Sequence, residues 1–409
     1  MPLTNTTKNV IGFSKENVNM SRAQFHRLSI SKVRELPDGV AITFDVPDEL
    51  KPTFAFTPGQ YLTIEASIQG EPTVGEASAG EPSDVKKIRR TYSICSSNQD
   101  VSLEVGIKSI ENGVFSNYAL SLKAGDQLDV MPPEGRFIRA IDKQNQTQTL
   151  LIAAGSGITP CLSIAKSVLA SEPNSSITLI NGNRTISSIM FRADIAALKD
   201  EYTDRFSVIN MLSRERQDIE RFNGRISAQS VTALNTDGLI RVSEFENAYL
   251  CGPMDMVHGV TTCLLELGMN QNQVHTELFT TENFAAAETD NATLAGNARS
   301  NSVNSNNVSN KQDNADQHNV TIILDGSQTG LNVNSSTDTV LSAAQRAGID
   351  MPFSCAGGMC CTCRCKVVEG SAKMDINFSL AEWEIKAGYI LACQARPSSE
   401  KLVLDFDSV

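Results

Sequence analysis

The stretch C-A-G-G-M-C-C-T-C-R-C at residues 355–365 decides the character of the last part of the chain. Within it, Cys355, Cys360 and Cys363 are separated by four and then two residues, and Cys393 lies further on. This spacing is the plant-type ligand pattern for a [2Fe–2S] cluster. Two irons that share two bridging sulfides need four thiolates to complete their coordination. We therefore predict that these four cysteines ligate a cluster.

Two other cysteines, Cys361 and Cys365, are surplus to this pattern. Using Cys361 in place of Cys360 would give spacings of five and one. Gly357 and Gly358 fit a loop that wraps tightly and turns backbone N–H groups towards sulfur. A zinc site with four cysteine ligands is the main alternative, but such sites usually consist of two C-x2–4-C pairs, and only one close pair is present. Disulfides would suit a secreted chain.

Length and charge set the first limits on function. A chain of 409 residues should form two or three domains with substantial cores. The net charge of −12 argues against nucleic acid and against an anionic membrane surface as partners. The first residues lack the apolar core of a signal peptide, and the most apolar stretch, 150–170, is interrupted by glycine, proline and lysine. Reduced cysteines without a secretion signal predict a cytoplasmic protein with no membrane insertion.

Two different periodicities follow one another in the first part of the chain. After a polar tail at 1–20, residues 21–142 alternate between apolar and polar positions and are broken by P-D-G and P-G-Q turns, which predicts an antiparallel β-barrel. A Gly/Pro/Glu-rich segment at 71–83 should be an exposed loop within it. From 143 to 281, continuous apolar strands alternate with helical stretches, which predicts a parallel α/β domain.

The pattern breaks again at 282–318, where asparagine, serine and alanine dominate and periodicity is lost. We interpret this segment as a flexible linker. The last domain, 319–409, opens with the strand V-T-I-I-L-D and continues into a helix near 340–346, with Gly348 as its C-cap. The cysteine loop and two more strands complete it.

A flavin site is indicated by two weak motifs in the barrel. In the first, Arg90, Tyr92 and Ser93 stand on a strand, where an aromatic face can stack on a flavin and an arginine can neutralise its pyrophosphate. In the second, Gly113 and Ser116 mark a turn before a helix that could bind phosphate. Each motif alone is common on strands and turns of no special function.

A dinucleotide site is indicated by G-S-G-I-T-P, which follows an apolar strand and precedes a helix. Gly155 and Gly157 fit its tight turn, and Pro160 replaces the usual third glycine at a position suited to a first helical turn. The next strand ends in N-G-N-R without an acidic residue. Because Arg184 there favours a 2′-phosphate over a free ribose hydroxyl, we expect NADPH in preference to NADH.

Taken together, these motifs resemble the ferredoxin–NADP reductase superfamily fused to a C-terminal plant-type ferredoxin domain. The resemblance covers about residues 24–280 and 319–409. Its specific stretches are R-R-T-Y-S-I-C-S-S, V-M-P-P-E-G-R-F, A-A-G-S-G-I-T-P, N-G-N-R-T, L-C-G-P, C-C-T-C-R-C-K-V-V-E-G and G-Y-I-L-A-C-Q-A. It implies a multi-domain protein with an antiparallel β-barrel FAD domain, a parallel α/β NAD(P)-binding domain and an α+β ferredoxin domain of β-grasp type.

The resemblance also implies roles for individual residues. The residues that would hold FAD are Arg90, Tyr92, Ser93, Ile107, Gly113, Ser116 and Phe279. Those that would receive the nicotinamide dinucleotide are Gly155, Gly157, Thr159, Arg184, Cys251 and Gly252. Hydride transfer would take place beside Ser93, Cys251 and Glu277. The 70–87 loop and the linker both look longer than is usual for the family, although neither removes a motif residue.

The function implied is transfer of electrons from NAD(P)H through FAD and [2Fe–2S] to a terminal oxygenase. The resemblance is greatest to reductases that serve a di-iron phenylacetyl-CoA epoxidase. Reductases of Rieske-type ring or steroid hydroxylases and of fatty-acid desaturases have the same architecture and stay open. From other classes, a redox sensor and a zinc-binding interaction protein are the alternatives, although a zinc protein would leave the flavin and dinucleotide motifs unexplained.

Overall fold

The computed structural model describes residues 24–69, 85–100, 102–279 and 316–408. These residues form three main sheets, one in each predicted domain. We call the three parts the barrel domain (24–142), the α/β domain (143–279) and the C-terminal domain (316–408). The 1–20 tail, the 71–83 loop and most of the 282–318 linker lie outside the described residues, and the domain boundaries themselves stay predictions.

The barrel domain is a six-stranded antiparallel sheet in the order β4-β3-β6-β1-β2-β5. A bridge between Ile94 and Val105 joins its two ends and closes the barrel. Asp38 adopts a positive φ of 56° in the P-D-G turn, as a tight hairpin requires. One short helix, α1 (Val114–Ala119), follows the fifth strand. The strands are β1 (His26–Leu36), β2 (Gly39–Asp45), β3 (Tyr61–Gln69), β4 (Val85–Ser93), β5 (Leu103–Lys108) and β6 (Gln127–Val130).

The α/β domain is a five-stranded parallel sheet in the order β11-β10-β7-β8-β9. Its central strand is the apolar run T-L-L-I-A-A, buried on both faces because hydrophobic clusters cover each side. Its strands are β7 (Gln148–Ala154), β8 (Ser176–Asn183), β9 (Phe206–Leu212), β10 (Asn247–Gly252) and β11 (Val274–Leu278). Its helices are α2 (Ile158–Ser171), α3 (Arg192–Glu201), α4 (Ala228–Thr236) and α5 (Met254–Glu266).

The C-terminal domain has a mixed sheet in the order β13-β12-β18-β14-β16, with β12 and β18 parallel, and a two-stranded sheet of β15 and β17. Helix α6 (Val340–Arg346) contributes its buried face to the core beneath the large sheet. The strands are β12 (Gln317–Leu324), β13 (Ser327–Asn334), β14 (Arg364–Glu369), β15 (Ala372–Met374), β16 (Tyr389–Leu391), β17 (Ala395–Pro397) and β18 (Lys401–Asp405), with a second short helix α7 (Glu382–Lys386).

Helix α2 begins at Ile158, so Pro160 lies in its first turn, as predicted. Two local details differ from the sequence prediction. Helix α6 has Ala347 as its C-cap, and Gly348 follows it with φ +72°, the left-handed conformation that ends many helices. Helix α7 was not predicted, because five residues carry too little periodicity. Within the described ranges, we find no helix with the length and hydropathy needed to cross a bilayer.

Candidate functional site

The cysteine loop between α6 and β14 directs backbone donors at sulfur. The N–H groups of Gly357, Met359 and Cys360 donate to Cys355 Sγ at 3.4, 3.5 and 3.4 Å. In return, the N–H of Cys355 donates to Cys360 Sγ at 3.4 Å. Such N–H···S bonds stabilise a thiolate that serves as a metal ligand. The loop is therefore built to hold negatively charged sulfur.

The four predicted ligands lie in two pairs. Cys355 lies beside Cys360, and the bond from Ala392 N–H to Cys363 O, 3.0 Å, brings Cys393 beside Cys363. The neighbouring Cys360 thiol lowers the pKa of Cys355 to about 6, and the neighbouring Cys363 thiol lowers that of Cys393. The pKa values of Cys360 and Cys363 are raised correspondingly.

This pairing is the arrangement a binuclear cluster needs, with two thiolates for each iron. Across the parts of the chain that the structure covers, no three His, Cys, Asp or Glu side chains converge on one point as they would around a single metal ion. Ser354, only 3% exposed, has a hydroxyl without a hydrogen-bond partner among the same residues. A cluster sulfur would supply the missing acceptor. The donor set thus fits [2Fe–2S].

The surplus cysteines and the glycines have distinct positions. Cys365 is fully buried in the core and its thiol lies 3.8 Å from Ile390 O. Cys361 adopts φ +59° and takes no part in the two pairs. Of the two glycines, Gly358 is the one the loop requires: it has φ +75°, and a Cβ there would lie 3.1 Å from Ile376 O. Gly357 has a negative φ and no neighbour that would exclude a side chain.

The predicted flavin residues stand at the end of β4. Tyr92 is half-buried, with its ring 5.5 Å from that of Phe115. Arg90 is exposed; its guanidinium donates to Arg89 O at 2.7 Å and makes no ion pair among the described residues. An exposed guanidinium without an ion pair, on the same strand as an aromatic side chain, is the combination that a flavin with a pyrophosphate would engage. These residues fit FAD, and their roles stay predictions.

The second flavin motif is a tight turn before α1. Gly113 is the N-cap of that helix. The hydroxyl of Ser116 accepts from Ile110 N–H at 3.1 Å and donates to Gly113 O at 3.2 Å, so it already stabilises the turn. Ile107 is fully buried in the barrel core, which leaves only its backbone to meet a cofactor. It stays a prediction that this turn binds pyrophosphate, and the binding groups would be backbone N–H groups.

The three residues predicted to surround hydride transfer meet at one place. Ser93 at the end of β4 donates to Glu277 Oε2 at 3.4 Å, and the Cys251 thiol lies 3.9 Å from the same oxygen. Cys251 and Glu277 are directly paired in the parallel ladder of β10 and β11. Burial raises the pKa of Glu277 to about 8, with the Ser93 hydroxyl acting in the opposite direction. The carboxyl is therefore neutral at pH 7.

The dinucleotide turn approaches this site closely. Gly155 has φ +58°, and a Cβ on Gly157 would lie only 2.2 Å from Cys251 O. Only glycine permits this approach between the turn and β10. Thr159 is buried and its hydroxyl donates to Ser156 O at 3.0 Å, so its side chain holds the turn. The prediction that Thr159 receives the dinucleotide stays untested.

The residue that follows β11, Phe279, lies against β10 beside this site. Phe279 N–H donates to Gly252 O at 3.0 Å, which fixes the last described residue of the α/β domain against β10. A side chain at Gly252 would meet Met256 Cε at 2.7 Å. Both residues were predicted from the family resemblance, and both border Cys251.

Sequence reasoning missed two cations near the dinucleotide turn. Arg214 follows β9, and its N–H donates to Arg184 O at 2.8 Å, so the two exposed arginines are neighbours at the carboxyl edge of the sheet. Lys108 at the end of β5 approaches Gly155. Burial, and then the charge of Arg184, lower the pKa of Lys108. The sequence S-R-E-R after β9 could have indicated Arg214 as a phosphate-binding residue. No sequence pattern indicated Lys108.

The C-terminal domain is joined to the barrel domain by ion pairs. Arg136 donates to Glu384 Oε2 at 2.6 Å and to Oε1 at 2.8 Å, and Arg364 of β14 donates to Oε1 as well. Glu384 is fully buried and also accepts from Ala381 N–H at 3.0 Å. The three side chains form a bridge that we call the Glu384 bridge (Arg136, Glu384, Arg364).

A second ion pair crosses the same boundary. Arg89 donates to Glu65 within the barrel at 2.6 Å and to Asp350 of the C-terminal domain at 3.1 Å. Its guanidinium also lies 4.9 Å from the ring centre of Phe353. The cysteine loop is therefore held against the side of the barrel that carries β3 and β4.

Comparison with known proteins agrees with this arrangement. Three family models match the chain: an oxidoreductase FAD-binding domain at 29–138, an oxidoreductase NAD-binding domain at 151–262 and a 2Fe-2S iron-sulfur cluster binding domain at 322–398. The solved structure of phthalate dioxygenase reductase, described as a modular structure for electron transfer from pyridine nucleotides to [2Fe–2S], superposes with a TM-score of 0.53 at 21% identity, covering 93% of this chain and 98% of that one. At that identity it shows the fold alone.

Curated relatives match over nearly their whole length. One subunit of the 1,2-phenylacetyl-CoA epoxidase of Escherichia coli K12 is 38% identical, covering 94% of this chain and 98% of that protein. The ferredoxin reductase component of 3-ketosteroid-9-alpha-monooxygenase from Rhodococcus rhodochrous is 33% identical, covering 91% and 94%. The chain therefore belongs to the ferredoxin–NADP reductase superfamily, among the oxygenase reductases with a C-terminal [2Fe–2S] domain, and is an oxidoreductase that passes electrons from NAD(P)H through FAD to the cluster.

Proposed function

We propose that this reductase supplies electrons to a di-iron epoxidase acting on phenylacetyl-CoA. The observation that carries the proposal is the 38% identity, over 94% of the chain, to a component of the 1,2-phenylacetyl-CoA epoxidase. When bound, FAD accepts the two electrons of a hydride and the cluster takes them one at a time. The protein contributes the binding and orientation that place these steps in sequence.

The chain's own residues divide the work as follows. Tyr92 and Arg90 would hold the flavin, and Ser93, Cys251 and Glu277 would border the site of hydride transfer. Because the pKa of Glu277 is about 8, its carboxyl adds no negative charge beside the flavin at neutral pH. The two cysteine pairs hold the cluster with thiolates supported by backbone N–H groups.

The test is reconstitution with purified oxygenase components. We expect NADPH-dependent epoxidation of phenylacetyl-CoA when this reductase replaces the cognate reductase. A second candidate partner, a steroid hydroxylase, is favoured by the 33% identity to a ketosteroid monooxygenase reductase. Turnover with a ketosteroid oxygenase and none with the epoxidase would reject our assignment in favour of that partner. A Cys393→Ser variant, which lacks one cluster ligand, provides the matched control.

We also propose that NADPH is the preferred donor. Arg184 and Arg214 lie side by side at the carboxyl edge of the sheet, without an ion pair among the described residues, where a 2′-phosphate would approach. Replacing either by serine should raise the KM for NADPH about tenfold, since a hydrogen bond to a charged group is worth about 1.5–3 kcal/mol. The KM for NADH should not change. Arg221→Ser, which breaks the exposed pair with Asp237, is the control; equal effects on both cofactors would refute the proposal.

Finally, we place the protein in the cytoplasm. All ten cysteines are free in the structure, as a reducing compartment requires. Cell fractionation that recovers the chain with a periplasmic or membrane marker would contradict this placement.

A further inference from the structure

The turn at residues 134–136, which follows β6, contacts both the C-terminal domain and Tyr61. Glu134 accepts from the Thr362 hydroxyl at 3.3 Å, and Arg136 forms part of the Glu384 bridge. Between them, Gly135 has φ +121°, and a Cβ there would lie 3.0 Å from two ring carbons of Tyr61. The turn E-G-R thus contacts the C-terminal domain through Glu134 and Arg136 and the Tyr61 ring through Gly135.

Tyr61 itself connects the flavin side of the barrel with the cysteine loop. It opens β3 and lies directly opposite Ser93 in the antiparallel ladder. Its backbone is bonded in both directions to Glu134, at 2.8 and 3.0 Å. Its side chain is 5% exposed, and its hydroxyl donates to Cys360 O at 2.5 Å. Tyr61 thus makes both contacts: its backbone pairs with the strand that carries Ser93, and its side chain bonds to the backbone of the predicted ligand Cys360.

We propose that Tyr61 is a positioning residue for electron transfer from flavin to cluster, holding the Cys360 ligand loop at a fixed place against the strand opposite Ser93. The cysteine loop has no direct covalent connection to the barrel, so its distance from the flavin site depends on such contacts. The Glu384 bridge and Arg89 hold the domain as a whole, whereas Tyr61 contacts the ligand itself. The step it serves is the passage of one electron from the reduced flavin to the oxidised cluster, in which no bond forms or breaks.

The role of Tyr61 does not depend on which oxygenase accepts the electrons. The electron path has two steps: hydride transfer from NAD(P)H to flavin, for which Glu277 would border the site, and the following transfer to the cluster. Loss of the Tyr61 hydroxyl should affect the second step alone. A residue that merely stabilised the fold would affect both steps, or neither.

The experiment is anaerobic stopped-flow reduction of the holoprotein by NADPH, with flavin and cluster absorbance followed separately. Tyr61→Phe removes the contacts of the hydroxyl with Cys360 O and with Thr362 Oγ1. We expect an unchanged rate of flavin reduction and a cluster reduction slowed about three- to tenfold. Amide exchange in the 355–363 loop should rise. Arg136→Gln, which loosens the same interface without touching a ligand, should slow the same step.

Tyr249→Phe is the matched control. Its hydroxyl also donates to a backbone carbonyl across a domain boundary, that of Ile138, at 3.2 Å, but it lies in the α/β domain away from the cysteine loop. We expect it to leave the second step unchanged. Cluster reduction at the wild-type rate in Tyr61→Phe would overturn the proposal, as would equal slowing of both steps, or unchanged amide exchange in the loop.

Discussion

Replacing Glu384 by Gln tests whether the barrel and C-terminal domains are joined in solution as the structure has them. The substitution preserves the shape of the side chain and removes the charge between Arg136 and Arg364. Both guanidinium groups would then face each other without a compensating carboxylate. Because the Glu384 side chain is fully buried, water cannot reach this position to solvate the two guanidinium groups where they face it. We expect the C-terminal domain to be less stable and less firmly attached.

The size of the expected loss of stability follows from the pKa of Glu384. Burial opposes ionisation, but hydrogen bonds from Arg136, from Ala381 N–H and from Arg364 outweigh it and lower the pKa from 4.5 to about 2. That difference corresponds to about 3 kcal/mol in favour of the ionised folded state. Arg136 is 47% exposed, so solvent screening reduces the expected loss to about 1–2 kcal/mol. Since the folded pKa is the lower one, this stabilisation is present above pH 4.5 and is lost as the pH falls towards 2.

The assay is urea unfolding at pH 7, followed by fluorescence of Trp383, the only tryptophan of the chain and the neighbour of Glu384. The variants Glu384→Gln and Arg136→Gln and their combination form a double-mutant cycle across the domain boundary. We expect a coupling energy of about 1–2 kcal/mol that decreases with added salt.

Arg27→Gln provides the comparison, since Arg27 forms an exposed pair with Asp129 at 3.5 Å within the barrel domain. Its effect should stay below about 0.5 kcal/mol. A coupling energy between residues 136 and 384 no larger than this would show that the docked arrangement is not populated, and our account of the Glu384 bridge would be refuted.

Three further substitutions test the cofactor sites. Cys363→Ser should abolish cluster absorbance and iron content, because one iron loses a ligand, whereas Cys361→Ser should retain both. In Glu277→Gln, the rate of flavin reduction by NADPH should become independent of pH. The wild-type rate should fall as the pH rises through 8, where the carboxyl becomes charged at the predicted hydride-transfer site. Gly157→Ala should lower thermal stability by about 1–3 kcal/mol and raise the KM for NADPH, because the new methyl would overlap Cys251 O.

Each of these has an outcome that would contradict it. Cluster loss in Cys361→Ser would mean that the ligand pairs are wrongly assigned. A wild-type pH profile in Glu277→Gln would assign the titration to another group. Gly259→Ala in α5 is the control for Gly157, since nothing lies within 4 Å of the added methyl. It should stabilise the helix by up to about 1 kcal/mol. Equal changes in thermal stability for Gly157→Ala and Gly259→Ala would show that overlap with Cys251 O is not the cause.

Much of the fold could be read from local patterns. The alternation of residues in the barrel and the apolar run of β7 predicted an antiparallel and a parallel sheet, and both were confirmed. These patterns are local because burial on one face or on two faces of a strand imposes a period on neighbouring residues. Short elements such as α7 escaped, since five residues do not complete two helical turns.

The sequence by itself determined that the chain carries a cluster-binding loop, and it predicted which cysteines ligate the cluster, because their spacing is a chemical constraint within one loop. Only the tertiary structure decided how they pair, and which other residues reach them. Ser93, Cys251 and Glu277 meet through β4, β10 and β11, and Tyr61 reaches Cys360 across 299 positions of the chain. Contacts of this kind leave no periodic trace in the sequence, since they depend on where separate domains come to rest against each other.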